Sequence, residues 1–448
     1  MYSVLAFVPV MALIVYAVLT KKMAEAMVIS TLLAMILLHG ANFLTGAVDA
    51  FYATLSSSSY QFVLLIIVGF GGMIALLQKS GAILGLRDSL LKIAAGPKRA
   101  MALAWALALV LFADEYLNAL TVAFSFRDLT DRHKIPREHL ALQAQGMACC
   151  LCVAVPFSSW TAFILGLTQA HGVDFFSYVR AIPYMFFPLL LMALCLLLGL
   201  GLFPKVGNLR RAYARVASGG PALPEGGSSK ALVDLGGGPE GKKSSALNAV
   251  ASLAALVGGM LYFGNDMTHG LLLALLTQLV LYVGQRLMTF SEFLDCFFDG
   301  AKSMTSLAIV MLFSFTLSQA NQDLGMFDLL IQAARENLPP VLLPALAFLL
   351  VGLTTFAVGN CWVVMTVAVP VFLPIALAVG ISPVVVTAAI MSGISLGYCL
   401  CFYADAVFMT TAGTGVPNTD IIRTMLPYAL GLSVLTAAGY LLCGLGVI

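Results

Sequence analysis

Apolar runs of about twenty residues follow one another along almost the whole of this 448-residue chain, separated by short polar or charged clusters. As a helix, a run of that length covers a hydrocarbon core of about 30 Å and satisfies its own backbone hydrogen bonds. The pattern predicts spans near 3–20, 24–44, 60–78, 139–168 and 179–203, then near 246–263, 268–285, 303–318, 383–412 and 421–446. The first run has no basic residue ahead of it and no small-residue cleavage site, so it reads as a span and not as a cleaved signal. Two further apolar stretches, near 100–126 and 340–378, are interrupted. Asp114-Glu115-Tyr116-Leu117-Asn118 breaks the first and Val358-Gly359-Asn360-Cys361 the second. The arms of the first stretch are about twelve residues, or about 18 Å, too short to cross alone.

Composition agrees with the pattern. With 61% hydrophobic and 10% charged residues, the chain lies outside the range of soluble domains. The net charge of +2 says little until it is sorted by side. If both interrupted stretches turn back as re-entrant hairpins, 21 of the 23 Lys and Arg residues fall on one face, leaving Arg180 and Arg335 opposite. A single crossing of the first stretch would carry Arg127, Arg132, Lys134 and Arg137 to the other side. The excess of basic residues in cytoplasmic loops therefore favours hairpins and places both termini outside the cytoplasm.

The chain also repeats itself. Phe112-Ala113, Gln78-x-x-Gly81 and Pro183-Tyr184 recur as Phe356-Ala357, Gln322-x-x-Gly325 and Pro427-Tyr428, all 244 residues on. Five spans and a hairpin give each copy an odd number of crossings, so the copies have opposite orientation. The predicted fold class is an all-α polytopic membrane protein. It comprises two inverted repeats, 1–204 and 246–448, each of five transmembrane helices plus one re-entrant hairpin. A glycine-rich segment, 205–245, reads as a flexible cytoplasmic linker. Inverted repeats place a secondary transporter's site at the interface between the halves.

Ionisable residues within apolar segments are costly and mark where chemistry belongs. Asp114 and Glu115 fall at the first hairpin tip, with Asn118 and Thr121 one and two turns on. Carboxylates beside unpaired backbone carbonyls offer the all-oxygen set that a hard cation such as sodium takes. Adjacent carboxylates also repel, which suits one of them to carrying a proton. Pro156 interrupts the fourth span, and Ser158, Ser159 and Thr161 after it either ligate an ion or bond back to the carbonyls the break frees. In the second half, Asn360 offers an amide at the other tip, and Asp405 is a lone carboxylate deep in an apolar span. Asp114, Asn118 and Asp405 are the candidate ligands of a transported sodium. The nine cysteines lie mostly in apolar runs, where they act as small hydrophobes, and the five histidines show no metal spacing. No phosphate loop, nucleotide fingerprint or hydrolase signature appears, so the chain reads neither as an enzyme nor as an ATP-driven pump. The reading names no cofactor beyond transported sodium and proton. Its partners are the lipid bilayer, a transported cation or small solute and a second copy of the chain in a homodimer, with no nucleic acid.

These motifs together are familiar. Phe112-Ala113-Asp114-Glu115-Tyr116-Leu117-Asn118, then Arg127, Asp131 and Ile135-Pro136-Arg137-Glu138-His139-Leu140-Ala141, resemble the NhaC-type sodium/proton antiporter family. Pro156-Phe157-Ser158-Ser159-Trp160, Gly359-Asn360-Cys361-Trp362, Ser392-Gly393, Asp405 and Arg423-Thr424-Met425-Leu426-Pro427-Tyr428 follow in order, over nearly the whole chain. The resemblance implies the ion transporter superfamily's fold of opposed hairpins, sodium/proton exchange by alternating access in the inner (plasma) membrane, and binding roles for Asp114, Glu115, Asn118, Ser158, Ser159, Trp160 and Asp405. The family usually carries an acidic residue where Gln145 stands, an Asp-His pair at Tyr398-Cys399 and a Ser-Pro at Cys401-Phe402. With those polar groups replaced, the same scaffold also fits a sodium- or proton-coupled transporter of an organic acid or amino acid.

Overall fold

The computed structural model describes residues 4–20, 23–91, 96–227, 244–264, 266–337, 339–402 and 404–447. Every regular element among them is helical. The first half contains α1 (Val8–Thr20), α2 (Met23–His39), α3 (Phe43–Ser56), α4 (Ser58–Lys79), α5 (Ala82–Leu91), α6 (Pro97–Val110), α7 (Glu115–Arg132), α8 (Arg137–Ala154), α9 (Ser159–Thr168), α10 (Phe175–Ala181) and α11 (Phe186–Leu200). After α12 (Gly207–Ala217), the second half runs through α13 (Ala246–Tyr262), α14 (Met267–Gly284), α15 (Phe290–Ser303), α16 (Thr305–Asp323), α17 (Met326–Asn337), α18 (Leu343–Val358), α19 (Cys361–Val379), α20 (Pro383–Leu400), α21 (Asp405–Thr414) and α22 (Asn418–Gly444).

Among the described residues, seven helical spans are long and apolar enough to cross a membrane, or ten if three bent pairs each count as one. The chain is a multi-pass membrane protein. Two of the bent pairs are the predicted spans 139–168 and 179–203: α8–α9 turns by 42° and α10–α11 by 57°. Pro156 explains the first, since it supplies no N–H to continue the ladder. The span predicted at 303–318 is also longer and bent, because α15 leads into α16 through Met304. Four helices, α3, α5, α12 and α17, lie outside the predicted spans and hairpins.

Both interrupted stretches fold as helical hairpins. In the first, Asn118 on α7 donates to the carbonyls of Ala108 (2.7 Å) and Leu111 (3.2 Å) at the end of α6. A residue reaches ten positions back in this way only if the second helix returns alongside the first. In the second, small residues set the geometry. A Cβ on Gly393 would meet Phe348 and Gly352, and one on Gly397 would meet Gly352, Thr355 and Phe356. Ascending numbers therefore match ascending numbers, so α18 and α20 run parallel, and α19 between them runs back. The arms are longer than the sequence implied: α7 extends to Arg132, and α18 and α19 hold 16 and 19 residues.

The breaks recur in register. Asp114 and Ser158 cap α7 and α9, while Asn360 and Ala404 precede α19 and α21. Both pairs are 246 residues apart (360 less 114, 404 less 158). Ser395 on α20 donates to the carbonyl of Cys149 on α8 at 3.3 Å, so equivalent positions of the two halves touch.

The segment predicted as a wholly flexible linker, 205–245, is corrected in its first part. There α12 buries Leu209, Ala212 and Val216, and its other groups are held in place. Asn208 donates to Thr424 (2.8 Å), His139 pairs with Tyr213 (2.7 Å), and Arg215 forms a two-pronged ion pair with Glu138 (2.8 and 2.9 Å). The glycines at 219, 220, 226 and 227 supply turns, not slack; the remainder of the linker, 228–243, lies outside the described residues. A three-residue apolar stripe with a charged opposite face builds an amphipathic helix even in a glycine-rich setting.

Candidate functional site

The two hairpin tips and the breaks at Ser158 and Ala404 converge on one cavity of about 360 Å³. It is lined by Asp114, Tyr116 and Ser159 from the first half and by Asn360, Trp362 and Asp405 from the second. Four helices, α7, α9, α19 and α21, begin here. Each helix start presents unpaired N–H groups and the positive end of a helix dipole.

Side chains answer these donors. One carboxylate oxygen of Asp114 accepts from the Leu117 amide at 2.8 Å, and the Asn360 side-chain oxygen accepts from the Val363 amide at 3.1 Å. The two residues are the caps of equivalent helices. Asp114 is 6% exposed and Glu115 fully buried. Trp160 Nε1 donates to Glu115 Oε2 at 2.8 Å, whereas Glu115 Oε1 has no hydrogen-bond partner among the described residues. A buried carboxylate with one oxygen unanswered is costly as an anion without a bound cation or proton. Among the described residues no Lys or Arg lines the cavity, so the field inside comes from the carboxylates of Asp114 and Asp405, with Glu115 buried behind them, opposed by helix termini.

The structure separates the remaining sequence candidates. Ser158 and Thr161 take the second of their two readings: Ser158 Oγ donates to the Cys152 carbonyl and Thr161 Oγ1 to that of Val155 at 2.9 Å. They repair the break that Pro156 makes. Ser159 keeps a buried hydroxyl without a partner among the described residues, and its amide donates to the Ala113 carbonyl at 3.3 Å, joining the break to the tip. Asn118 spends its amide N–H groups closing the first hairpin, while its Oδ1 stays buried and unpartnered among the described residues. Thr121 is buried on α7 but does not line the cavity.

Asp405 departs from expectation. It does not lie deep in an apolar span: it opens α21, is exposed, and lines the cavity. Its Oδ2 accepts from the Tyr116 hydroxyl at 3.3 Å, a contact between the two halves. The chain breaks after Leu400, which puts at the cavity wall a carboxylate that sequence alone places inside a continuous apolar span. Tyr403 lies outside the described residues. Where acidic or polar groups were expected by resemblance, Gln145 is buried and accepts from Thr410 at 2.9 Å, and Tyr398 packs its ring against Trp160.

Sequence reasoning missed Tyr116 and the wall opposite the tips, formed by Ile67, Phe70 and Ile74 of α4 with Ser303, Met304 and Val310. A signal was present in the glycines of α4. A Cβ on Gly71 would meet Gly300 and Met304, and one on Gly72 would meet Phe297, so α4 and α15 approach through small residues. Trp362 both packs its ring on Trp160 and Phe163 and lines the cavity.

Residues 240–445 match the model of the Na+/H+ antiporter family. An uncharacterized protein of Haemophilus influenzae is 22% identical over 99% of this chain and 91% of its own length. Two solved structures share the fold. The YdaH transporter of Alcanivorax borkumensis superposes with a TM-score of 0.61 at 15% identity, covering 92% of this chain and 90% of the other. MtrF of Neisseria gonorrhoeae, described as illuminating a class of antimetabolite efflux pumps, gives 0.59 at 13% identity over 90% and 83%. The matched model and both solved structures are of membrane transporters, and the structures share this chain's fold.

Proposed function

From the Na+/H+ antiporter family signature in the second half of this transporter, we propose that the chain exchanges sodium for protons at the cavity between its hairpin tips. One observation carries the reading: Asp114 and Asp405 line one cavity, with Glu115 buried beside Asp114, and no basic side chain among the described residues lines it. A carboxylate that holds either a proton or a cation ties the two fluxes together, because the proton removes the charge that attracts the ion. Asp114, Glu115 and Asp405 would supply the charged oxygens, with Ser159, Asn360 and Asn118 Oδ1 completing an all-oxygen set. Alternating access would then rock one repeat against the other around this site, with the hairpins re-entrant from opposite faces. The recurrence of all four breaks at one spacing, and the contact between equivalent residues Cys149 and Ser395, support an inverted pair. In this reading the protein sits in the inner membrane, the cargo is sodium and proton, no resident cofactor takes part, and a homodimer is the expected assembly.

Cavity size favours a second reading. About 360 Å³ walled by Tyr116, Trp362 and Phe70 is far more room than one ion needs and falls in the range of small-molecule sites, about 300–1,000 Å³. An organic acid or amino acid coupled to the same ions would fill it.

Proteoliposomes carrying an imposed pH gradient discriminate the two. Addition of sodium alone should dissipate the gradient for an exchanger, and Asp114→Asn should abolish the effect. If sodium does nothing until an organic acid or amino acid is supplied, the exchanger reading fails and the solute carrier stands.

A further inference from the structure

A second polar pocket lies further along α19. Asn360, at its start, faces the cavity between the tips; Thr366, six residues or about 9 Å of helix later, lines a separate small pocket of about 10 Å³. Ser314, Ser318 and Asn321 of α16 form its other polar wall, and Val10, Leu317 and Val367 are among its apolar walls.

The oxygen inventory here is specific. Asn321 is 4% exposed, and its Oδ1 has no hydrogen-bond partner among the described residues. Pro370, inside α19, has no N–H to close the helical bond to the Thr366 carbonyl. The Thr366 hydroxyl donates to the Val363 carbonyl (2.7 Å) and the Ser314 hydroxyl to that of Val310 (2.9 Å), which leaves the lone pairs of both hydroxyls as acceptors. Asn321 stands in the last turn of α16, which ends at Asp323, so the negative end of that helix dipole adds to the field. Acceptors outnumber donors, none of the described lining residues carries a charge that would draw an anion, and the space admits one small ion or water. A buried polar acceptor without a partner is costly enough that something must answer it.

We propose that this pocket binds one monovalent cation of sodium's size, held by Asn321 Oδ1, the carbonyl and hydroxyl of Thr366 and the hydroxyls of Ser314 and Ser318. The ion ties α16 to α19 at the level of Pro370 and is distinct from any ion carried by Asp114. All-oxygen ligation suits a hard cation, and carbonyls freed within a membrane protein bind such ions where the backbone is interrupted.

Binding of radioactive sodium to the purified full-length protein tests this, with choline chloride as the ionic control. In an Asp114→Asn background, saturable sodium binding should persist. Adding Asn321→Leu should weaken it by at least about tenfold, while adding Asn321→Asp, which supplies a charge, should tighten it by about as much. Gain of affinity is a result that misfolding cannot produce. If Asp114→Asn removes all sodium binding, or if neither Asn321 variant changes it, the pocket holds water only and the proposal is overturned. Loss of binding in Asn321→Leu with Asp114→Asn indistinguishable from wild type would instead keep this site and reject the carboxylate site as the sodium carrier.

Discussion

Glu115 is a buried carboxylate with one oxygen held by Trp160 and the other by nothing among the described residues. Hydrogen bonds to a charged acceptor contribute about 1.5–3 kcal/mol. Trp160→Phe keeps the ring contacts with Trp362 and Tyr398 but removes that donor. It should weaken apparent affinity for the transported cation by roughly tenfold in flux assays, with the protein still monodisperse by size exclusion. An unchanged affinity would mean that Glu115 does not take part in binding. Ser158 makes the opposite case. As the cap of α9 it accepts from the Thr161 amide at 3.1 Å and does not line the cavity. Ser158→Ala should cost about 1 kcal/mol of thermal stability and leave cation affinity within about twofold. The sequence showed that a proline break needs hydroxyls nearby. Only the folded chain separates Ser158 and Thr161, which repair the backbone, from Ser159, whose hydroxyl is left over. All three are the same kind of residue within four positions, and local chemistry cannot tell which way each one turns.

At the scale of elements, the hairpins depend on close approach. Gly397 lies so near α18 that a methyl group would fall 2.3 Å from the Gly352 carbonyl oxygen. Backbone cannot yield as a flexible side chain does, so Gly397→Val should force α18 and α20 apart. We expect a loss of about 1–3 kcal/mol in a denaturation assay, or failure to accumulate in the membrane. Both helix–break–helix units were legible in the sequence for two reasons, though Pro340–Val358 and Cys361–Val379 are each long enough to cross, where the sequence predicts re-entrant arms. A polar cluster inside an apolar stretch needs shelter from lipid, which a turn enclosed by protein provides. The basic residues also fall on one side only if both stretches turn back. Helix α12 was not legible. Gly207, Gly219 and Gly220 flank it closely, and glycine-rich composition masked the short stripe of Leu209, Ala212 and Val216. The wall from α4 was hidden differently: Ile67, Phe70 and Ile74 have the composition of any lipid-facing helix, and only folding brings them opposite the tips.

For the whole molecule, the division of basic residues predicts a sidedness that labelling can measure. Single cysteines at 128–134 and 220–227 should react from the cytoplasmic face, and both termini should be accessible only from the other. Labelling of 128–134 from outside would overturn the proposed topology. On that face the halves are fastened together. Arg137 is 8% exposed; it grips Asp131 at 2.7 Å and donates to the Thr414 carbonyl of the opposite half at 2.9 Å, while its amide donates to the Ala222 carbonyl. Arg137 is buried but Asp131 is 30% exposed and can be answered by solvent, so Arg137→Ala should destabilise the protein by about 1–3 kcal/mol, chiefly through the carbonyl of Thr414 left without its donor.

The strap that carries α12 has a consequence for how the polypeptide needs to be connected. Through Asn208 to Thr424, the Val206 amide to the Tyr428 hydroxyl, and Arg137 to Thr414, the first half holds the second without help from the peptide bonds between them. Two separate open reading frames, ending at Gly227 and beginning at Ser244, should yield fragments that find each other in the bilayer. Affinity purification through a tag on one should recover both in equal amounts, and the pair should transport at rates close to those of the uncut chain. Introducing Asn208→Ala together with Tyr428→Phe should make that recovery fail for the split protein while the single-chain form still assembles.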